Sequence, residues 1–203
     1  MFLIILAAGK SKRFENTIPK QYTKLGNKTI LEHSLDAFSD FKQIKKTIVV
    51  YNKKHKKYLK KINLKNVIRV TGGDTRQEST FRALNKIKNM YCKKVLIHDS
   101  ARPFPSKKLI NKIISNIKKN DAVIPIIKIN DATKRVEKNV VFKNIKRDNL
   151  RTSQTPQGFT FKKIHEKMIW SVSILSNLRG KDLLFKTFGI IESDCVRKLR
   201  RRK

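Results

Sequence analysis

Five predominantly apolar runs, separated by segments of helical periodicity, constrain the fold of this chain more than any other feature of its sequence. A run that is apolar at nearly every position is typical of a strand buried on both faces of a parallel sheet. Strands that alternate with amphipathic helices predict a doubly wound, mostly parallel α/β sheet with right-handed crossovers. The predicted strands are 2–6, 47–51, 66–70, 95–98 and 122–127.

Capping residues mark where the predicted helices begin. Thr29 with Glu32, and Thr75 with Glu78, have the spacing of a capping box, in which each side chain bonds the backbone N–H of the other residue. Ser106 has the chemistry of an N-cap for a third helix. These signals fix the starts of three helices between the predicted strands.

The loops that follow the predicted strands are the candidate binding elements. Ligands of open α/β sheets bind beyond the carboxyl ends of the strands. This rule selects three loops, 7–20, 72–79 and 99–103, and we expect them to meet at one edge of the sheet.

The first of these loops contains Gly9-Lys10-Ser11, a triplet that also closes the phosphate-binding loop of many ATPases and GTPases. That loop needs a glycine five residues ahead of the triplet, and here the position is Ile4, inside the first predicted strand. The sequence therefore excludes a P-loop. Small side chains at a strand end still let a backbone approach a nucleotide, and the basic residues Lys10, Lys12 and Arg13 lie where phosphate oxygens would be bound.

The chain is strongly basic, with 49 Lys and Arg against 15 Asp and Glu and a formal net charge of +34. Such a charge favours anionic partners, namely nucleotides, phosphorylated metabolites or nucleic acid. Many of the lysines, as in 53–61, fit solvated helix faces. The basic run 197–203 keeps a nucleic-acid-binding protein as an alternative. We disfavour nucleic acid as a partner because the basic residues lack interleaved aromatic side chains and form no recognisable motif.

Two features predict a cytoplasmic protein with no membrane span. Cys92 and Cys195 are far apart and show neither a disulfide framework nor zinc spacing, which fits a reducing compartment. The apolar run 2–8 is too short to span a bilayer, and its positive charges follow it, whereas a secretory signal has them in front.

The pattern changes after the last predicted strand. Residues 133–147 contain two short extended segments with Lys138 and Asn139 between them, and we interpret them as an antiparallel hairpin that projects from the sheet. The sequence thus divides into a domain of 1–165, with an arm at about 131–150, and a basic tail of 166–203.

Four motifs in order resemble one known family. The segment LAAGKSKRF with the PKQY that follows it resembles the signature of sugar-phosphate nucleotidyltransferases. Together with GGDTRQES, HDSARP and TPQ, it is similar to the 2-C-methyl-D-erythritol 4-phosphate cytidylyltransferase family of non-mevalonate isoprenoid synthesis. The resemblance covers 1 to about 165. It implies a Rossmann-like nucleotidyltransferase sheet, CTP and a polyol phosphate as substrates, and Mg²⁺ as the cofactor.

The same resemblance assigns site residues. Arg13, Lys20 and Arg147 correspond to catalytic cations, and Asp99 corresponds to an acidic residue beside the catalytic Mg²⁺. We interpret His98 as a packing or hydrogen-bonding residue and expect Arg102 to pair with Asp99. The positions matching CTP contacts are Ala7, Ala8, Gly9, Lys10, Ser11, Gly72, Gly73, Asp74 and Ser79, and those matching contacts to the polyol phosphate are Asp99, Thr133, Arg147 and Thr155. The residues alone predict a glycine turn in which Asp74 caps the helix that follows, and this interpretation is compatible with a CTP contact.

The predicted arm resembles the family's dimerisation arm, which carries substrate contacts into a neighbouring subunit. A homodimer built through the arm is therefore expected. Asp131-Ala132-Thr133-Lys134 differs from the family's Asp-Thr-x-Lys, because the threonine is displaced by one residue. A shift of one residue on a strand turns the side chain to the other face, so the sequence leaves open whether Thr133 replaces the usual threonine.

The resemblance ends near Glu166, after which the family's Thr-Asp-[Asp/Glu] motif and its Asn-x-Lys-x-Thr segment are both missing. A truncated or frameshifted product, a variant terminus and a remodelled tail compete as explanations. From the missing motifs we expect weak CTP binding and slow turnover, unless Lys181 or Lys186 fills the vacancy. Alternatives in function are a ribitol 5-phosphate cytidylyltransferase and a catalytically impaired homologue that binds CTP.

Overall fold

The computed structural model describes residues 1–11, 17–64 and 66–175, and the side chains of these segments as far as residue 169. The predicted catalytic residue Arg13 and the predictions for Lys12, Lys181, Lys186 and Cys195 lie outside the described residues. Within the described part, no helix is long and apolar enough to cross a membrane.

Twelve strands and five α-helices make up the described chain. The strands are β1 (Phe2–Ala7), β2 (Lys24–Leu25), β3 (Lys28–Thr29), β4 (Lys46–Tyr51), β5 (Val67–Thr71), β6 (Lys94–Asp99), β7 (Ala122–Val123), β8 (Ile126–Lys128), β9 (Thr133–Glu137), β10 (Val140–Ile145), β11 (Arg151–Ser153) and β12 (Gln157–Thr160). The helices are α1 (Ile30–Asp36), α2 (Lys56–Leu59), α3 (Arg76–Ile87), α4 (Lys107–Ile117) and α5 (Phe161–Leu175), with 3₁₀ turns at Lys20–Tyr22, Lys53–His55 and Arg147–Asn149.

Six strands form the central sheet in the order β5-β4-β1-β6-β12-β7. The strands β5, β4, β1 and β6 run parallel, and β12 lies antiparallel between β6 and β7. The prediction of a doubly wound, mostly parallel sheet is confirmed.

Helices cover both faces of this sheet, which is why β1 is apolar at every position. Leu3 and Ile5 of β1 face a core that contains residues of α1 and α4, whereas Phe2 and Ile4 face a core that contains residues of α3 and α5. The side chains of Ile4 and Ile5 are fully buried. Burial of one such side chain stabilises the fold by about 1.5 to 3 kcal/mol, so β1 anchors both layers.

The helix starts follow the predicted caps with one exception. Thr29 and Glu32 form the reciprocal capping box, and Ser106 accepts a hydrogen bond from Leu109 N. Thr75 caps α3 by accepting from Glu78 N at 3.0 Å. The Glu78 carboxylate, however, accepts from the backbone N of residue 74 at 2.8 Å and not from that of Thr75. The second half of this predicted box is therefore wrong.

The predicted strand 122–127 is wrong as a single element. It is divided into β7, which belongs to the central sheet, and β8, which pairs with β11 in a separate ribbon. Pro125 lies between the two and has no backbone N–H to donate to a continuing ladder. The Pro125 carbonyl accepts from Gln154 N at 2.7 Å, so the chain leaves the sheet here.

The projecting hairpin is confirmed. Strands β9 and β10 pair antiparallel, and Lys138 and Asn139 form the turn with φ of 48° and 65°. Within the described part of the chain these two strands pair only with each other. Apart from half-buried Thr133, every residue of the two strands is exposed.

Candidate functional site

Three loops meet at the carboxyl ends of β1, β5 and β6 and enclose a cavity of about 850 Å³. They are the three loops that the sequence selected. A cavity of this size accommodates a nucleotide-sized ligand. It is lined by Leu6, Ala8, Gly9, Lys10, Ser11, Lys20, Gln21, Gly73, Asp74, Thr75, Arg76, Ser79, Asp99, Ser100, Ala101 and Arg102.

The loop after β1 is held in place by the side chain of Gln21, which is 4% exposed. The Gln21 side-chain Nε2 donates to Ala7 O at 2.9 Å and to Gly9 O at 3.1 Å. A Cβ placed on Gly9 would meet no atom of the described residues within 4 Å, so this part of the chain leaves the space beside Gly9 open to a ligand. The loop thus presents backbone to the cavity and is fixed by one buried side chain.

The loop after β5 packs directly on the first loop. A Cβ on Gly72 would lie 2.5 Å from Ala8 Cβ and 2.8 Å from Ser79 Oγ, so only glycine permits this close approach. Gly73 N donates to Ser79 Oγ at 3.1 Å. Arg82 donates from Nη1 to Gly72 O at 2.9 Å. The backbone that matches the family's base contacts is consequently fixed by side chains of α3.

An ion pair joins these two loops across the cavity. Lys10 Nζ lies 2.7 Å from Asp74 Oδ1, and both side chains are at least half exposed. The hydrogen bond from Lys10 lowers the pKa of the Asp74 carboxyl. Because the Asp74 carboxylate is engaged here and Thr75 supplies the cap of α3, the predicted cap by Asp74 is wrong.

The loop after β6 presents Asp99 between two arginines. Arg76 Nε donates to Asp99 Oδ1 at 3.0 Å, and Arg102 Nε lies 3.8 Å from Oδ2, so the expected pair with Arg102 is present but is the longer of the two. Asp99 N donates to the buried Thr155 Oγ1 at 3.3 Å. These contacts set the position of the one carboxylate that follows β6 in the cavity.

His98 supports the same loop from the core, as the sequence analysis expected. Its ring is fully buried, packs against Phe38 and contacts Arg102 O through Nε2 at 2.9 Å. Because a carbonyl oxygen only accepts, the imidazole is protonated at Nε2. Burial lowers the pKa of His98 to about 4, so the ring is neutral at physiological pH.

The cavity is electropositive. Its lining contains four cations, Lys10, Lys20, Arg76 and Arg102, and two carboxylates, both of which are paired with these cations. Only Lys20 among the four has no ion pair to a carboxylate within the described part of the chain. Such a lining favours an anionic ligand.

The predicted residues fall into three groups. Ala8, Gly9, Lys10, Ser11, Lys20, Gly73, Asp74, Ser79 and Asp99 line the cavity. Ala7, Gly72 and Thr155 lie directly behind it, in contact with lining residues. Thr133 and Arg147 do not line the cavity.

Arg147 lies at the base of the arm, beside a separate hollow of about 360 Å³ that Lys128, Asp148 and Arg151 also line. Its guanidinium donates to Asn130 O. Thr133 Oγ1 donates a long hydrogen bond to Asp131 O at 3.5 Å. One chain therefore does not bring the residues predicted for the polyol phosphate together.

Seven lining residues were not predicted as site residues, and two of them, Arg76 and Gln21, have side chains that bond another loop of the cavity. A signal for Arg76 is its place as the first helical residue after the capping Thr75, where a helix N-terminus attracts anions. Gln21 lies within the PKQY motif, but a glutamine in a sequence gives no sign that its amide will reach two carbonyls of another loop.

A cavity at the carboxyl edge of a doubly wound sheet, lined by small residues, exposed backbone and cations, defines a nucleotide-binding α/β protein that handles phosphate groups. The model of the IspD family, 2-C-methyl-D-erythritol 4-phosphate cytidylyltransferase, matches residues 1–171, and the chain belongs to this family. The resemblance seen in the four motifs is thereby confirmed.

Individual relatives agree with this membership. The chain is 48% identical over 163 residues to the bifunctional enzyme IspD/IspF of Pelagibacter ubique, covering 80% of this chain and 44% of that enzyme. It is 37% identical over 164 residues to the 2-C-methyl-D-erythritol 4-phosphate cytidylyltransferase of Thermosipho melanesiensis, covering 78% and 72%. The chain thus spans less than half of the bifunctional relative.

Among solved structures, the IspD of Francisella tularensis is similar with a TM-score of 0.76 and 30% identity. The match covers 98% of this chain and 94% of that chain. The family assignment therefore rests on both the sequence and the fold.

Proposed function

We propose that this chain transfers a cytidylyl group from CTP to 2-C-methyl-D-erythritol 4-phosphate and releases pyrophosphate. The observation that carries the proposal is the electropositive cavity in which the three loops of the family's motifs meet. Both proposed substrates are anions, which agrees with four cations in its lining.

The proposed reaction is an in-line displacement. A phosphate oxygen of methylerythritol phosphate attacks the α-phosphorus of CTP, and a new P–O bond forms as the bond from this phosphorus to the bridging oxygen breaks. The electron pair leaves with pyrophosphate. Negative charge accumulates around phosphorus in the transition state, so positioned cations supply most of the catalysis.

Lys20, which follows the loop after β1, is a proposed catalytic cation. The family resemblance assigns Arg13 as a second catalytic cation. Lys20 lines the cavity and has no carboxylate pair within the described residues, so its charge is available to phosphate oxygens. Lys10 and Ser11 lie beside it and would contact the triphosphate. Across the cavity, the loop of 72–74 with Ser79 would read the cytosine and the ribose.

Asp99 is the proposed ligand of a divalent cation, Mg²⁺. The described residues contain no group of three or more His, Cys, Asp or Glu that could hold a metal alone. Mg²⁺ at phosphate-transfer sites is commonly held by one or two carboxylates with substrate phosphates and water, and a single carboxylate in a phosphate cavity fits that pattern. Asp99 Oδ2, whose paired Arg102 Nε is 3.8 Å away, is the oxygen better placed to coordinate. A bound cation would neutralise charge on the triphosphate.

The polyol phosphate is proposed to contact two chains. Arg147 and Thr133 lie on the arm and not in the cavity of their own chain, so a homodimer in which the arm reaches a second copy would complete the site. In that dimer Arg147 supplies a cation to the second substrate. The cytoplasm is the proposed compartment because the cysteine pattern indicates reducing conditions.

A pyrophosphate-release assay tests the proposal. With CTP, methylerythritol phosphate and Mg²⁺, we expect release that requires both substrates and falls when UTP replaces CTP. Ribitol 5-phosphate in place of methylerythritol phosphate tests the alternative substrate. No release with either polyol phosphate, at protein concentrations where CTP binds, would reject the activity and leave a CTP-binding homologue.

A further inference from the structure

We propose that Gln21 is a positioning residue that holds the loop after β1 in the conformation that accepts a triphosphate, and that couples this loop to Lys20. The inference deepens the proposed function and rests on it for the identity of the ligand. It is carried by three hydrogen bonds of one buried amide and by a fourth that joins Ser11 to the backbone of Lys20.

The amide of Gln21 uses both of its N–H donors and one acceptor lone pair on the loop. Nε2 donates to Ala7 O at 2.9 Å and to Gly9 O at 3.1 Å, while Oε1 accepts from Ser11 Oγ at 3.1 Å. Because carbonyl oxygens only accept, the nitrogen must face them, and the orientation of the amide is fixed by chemistry. A ligand in the cavity would find no free donor on this side chain.

Ser11 extends the same network to the proposed catalytic cation. The Ser11 hydroxyl donates to Gln21 and accepts from Lys20 N at 3.1 Å. Ser11 itself has a φ of 50°, a left-handed conformation that a residue other than glycine adopts at a cost. The hydrogen bonds on both sides of its hydroxyl offset that cost. The loop and the backbone of Lys20 are therefore one connected unit.

The two carbonyls explain why this unit matters for an anionic ligand. A peptide carbonyl oxygen carries partial negative charge and would repel phosphate oxygens of a ligand in the cavity. Gln21 binds the carbonyls of Ala7 and Gly9, so their lone pairs are directed to an amide and not to the ligand. With Gln21 only 4% exposed, little water competes for these bonds. Glutamine is the one side chain of this length that offers two N–H donors and one acceptor.

The test compares Gln21→Met, which keeps the length and removes every hydrogen bond, with Gln21→Glu, which puts a carboxylate against the two carbonyls. Asn120→Leu is the matched control. Asn120 is also a buried amide that donates to a backbone carbonyl, but it lies near the amino end of β6, at the edge of the sheet opposite the cavity. Ser11→Ala removes the hydrogen bonds of this hydroxyl to Gln21 Oε1 and Lys20 N but keeps those of Gln21 Nε2 to Ala7 O and Gly9 O, so it is a milder variant.

CTP and cytidine are the two probes, with calorimetry for the nucleotide and NMR titration for the weaker nucleoside. For Gln21→Met we expect CTP binding to weaken about tenfold while cytidine binding changes by less than about twofold, since the base contacts lie on the other loop. Gln21→Glu should weaken CTP more strongly than Gln21→Met. Asn120→Leu should change neither affinity, although its melting temperature should fall as that of Gln21→Met does.

Hydrogen exchange without ligand gives an independent readout. The amides of residues 8–11 should exchange faster in Gln21→Met and in Ser11→Ala than in Asn120→Leu. Equal losses for CTP and cytidine, or unchanged exchange in residues 8–11, would overturn the inference and reduce Gln21 to a core residue. If the unmodified chain fails to bind CTP, the proposed function is wrong, whereas the exchange comparison still decides whether Gln21 holds the loop.

Discussion

The cavity and the arm are built in opposite ways. Each loop of the cavity is tied to another element through a side chain that bonds its backbone: Gln21 holds the first loop, Ser79 the second and Thr155 the third. Within the described residues, the side-chain contacts of β9 and β10 lie inside the arm, as between Lys134 and Asn144 and between Arg135 and Glu137. The difference indicates that one chain fixes the loops of the cavity by itself, and it favours the proposal that a second copy holds the arm.

The apolar side chains of the arm agree with that conclusion. Val136, Val140, Val141 and Phe142 are each more than half exposed, with relative accessibilities between 56% and 67%. An isolated two-stranded hairpin is at best marginally stable in water, and a cluster of exposed apolar side chains commonly marks an interface. The predictions below separate these two regions experimentally, beginning with the largest effect.

Lys20→Ala should have the largest effect. Loss of one well-placed cation at developing phosphoryl charge typically lowers turnover by about a hundredfold to a thousandfold. Arg13→Ala should act similarly. Steady-state pyrophosphate release measures turnover, and circular dichroism melting checks that the fold is intact. Lys24→Ala, which removes an exposed lysine outside the cavity lining, is the control and should leave turnover within about twofold of the unmodified chain. Near-normal turnover of Lys20→Ala would remove Lys20 from the mechanism.

Arg147→Ala should affect the second substrate alone. A charge-assisted hydrogen bond to phosphate contributes about 1.5 to 3 kcal/mol, so we expect KM for methylerythritol phosphate to rise by about thirtyfold or kcat/KM to fall by that factor. CTP affinity should not change, since Arg147 is not among the lining residues of the cavity. The matched control is Lys143→Ala, a lysine on β10. A parallel loss of CTP affinity would contradict the separation of the two regions.

The expected homodimer should depend on the arm. Replacing exposed Phe142 by Asp places a charge in the proposed interface, and truncation of a buried interface aromatic typically costs more than 1 kcal/mol, or about tenfold in the dimer dissociation constant. Analytical ultracentrifugation over a concentration series measures this constant. Tyr91→Asp changes an aromatic residue that is 85% exposed outside the arm and should not affect assembly. A chain that is monomeric at high micromolar concentration before any substitution would refute the dimer.

The smallest effect concerns the ion pair between Lys10 and Asp74. Because the hydrogen bond from Lys10 lowers the pKa of Asp74, Lys10→Ala should raise that pKa toward the ordinary value of an aspartate. The lowered pKa stabilises the fold above the pKa of the unfolded state, and this contribution is lost as the pH falls through the folded value. Water screens so exposed a pair, so thermal melting should barely change. A carbon-detected NMR titration of the side-chain carboxyls measures the shift, and an unshifted Asp74 in Lys10→Ala would show that the pair does not form in solution.

Sequence reasoning located the strands whose burial leaves an unbroken apolar run, because a strand covered on both faces tolerates little else. It missed β12, whose four residues Gln157–Thr160 contain one large apolar side chain. Gly158 shows why: a Cβ at this position would lie 3.0 Å from Ile113 Cγ2, so the helix α4 takes the space that an apolar side chain would fill. The pattern of β12 is dictated by its neighbour and not by its own periodicity.

In the site, too, local chemistry could be predicted from the sequence, whereas contacts between distant segments could not. The glycines and cations of the motifs could be placed because each has a local chemical reason to follow a strand. The bonds of Gln21, the pairing of Arg76 with Asp99 and the Glu78 contact that replaced half of a capping box depend on which loops meet in space. Sequence spacing carries no information about such distances, and the fold alone determined them.

The ribbon of β8 and β11 connects the hairpin of β9 and β10 to the edge of the cavity. The chain leaves the sheet at Pro125, returns at Gln154 and reaches Thr155 next, which bonds Asp99 N. The segment between Pro125 and Gln154 is joined to the edge of the cavity by these two paired strands, in which Ile126 lies opposite Ser153. With this connection, insertions, deletions or replacements in the segment between β8 and β11 would leave the shape of the cavity unchanged. Conversely, a displacement of this segment would reach Thr155, which accepts a hydrogen bond from Asp99 N, before the rest of the cavity.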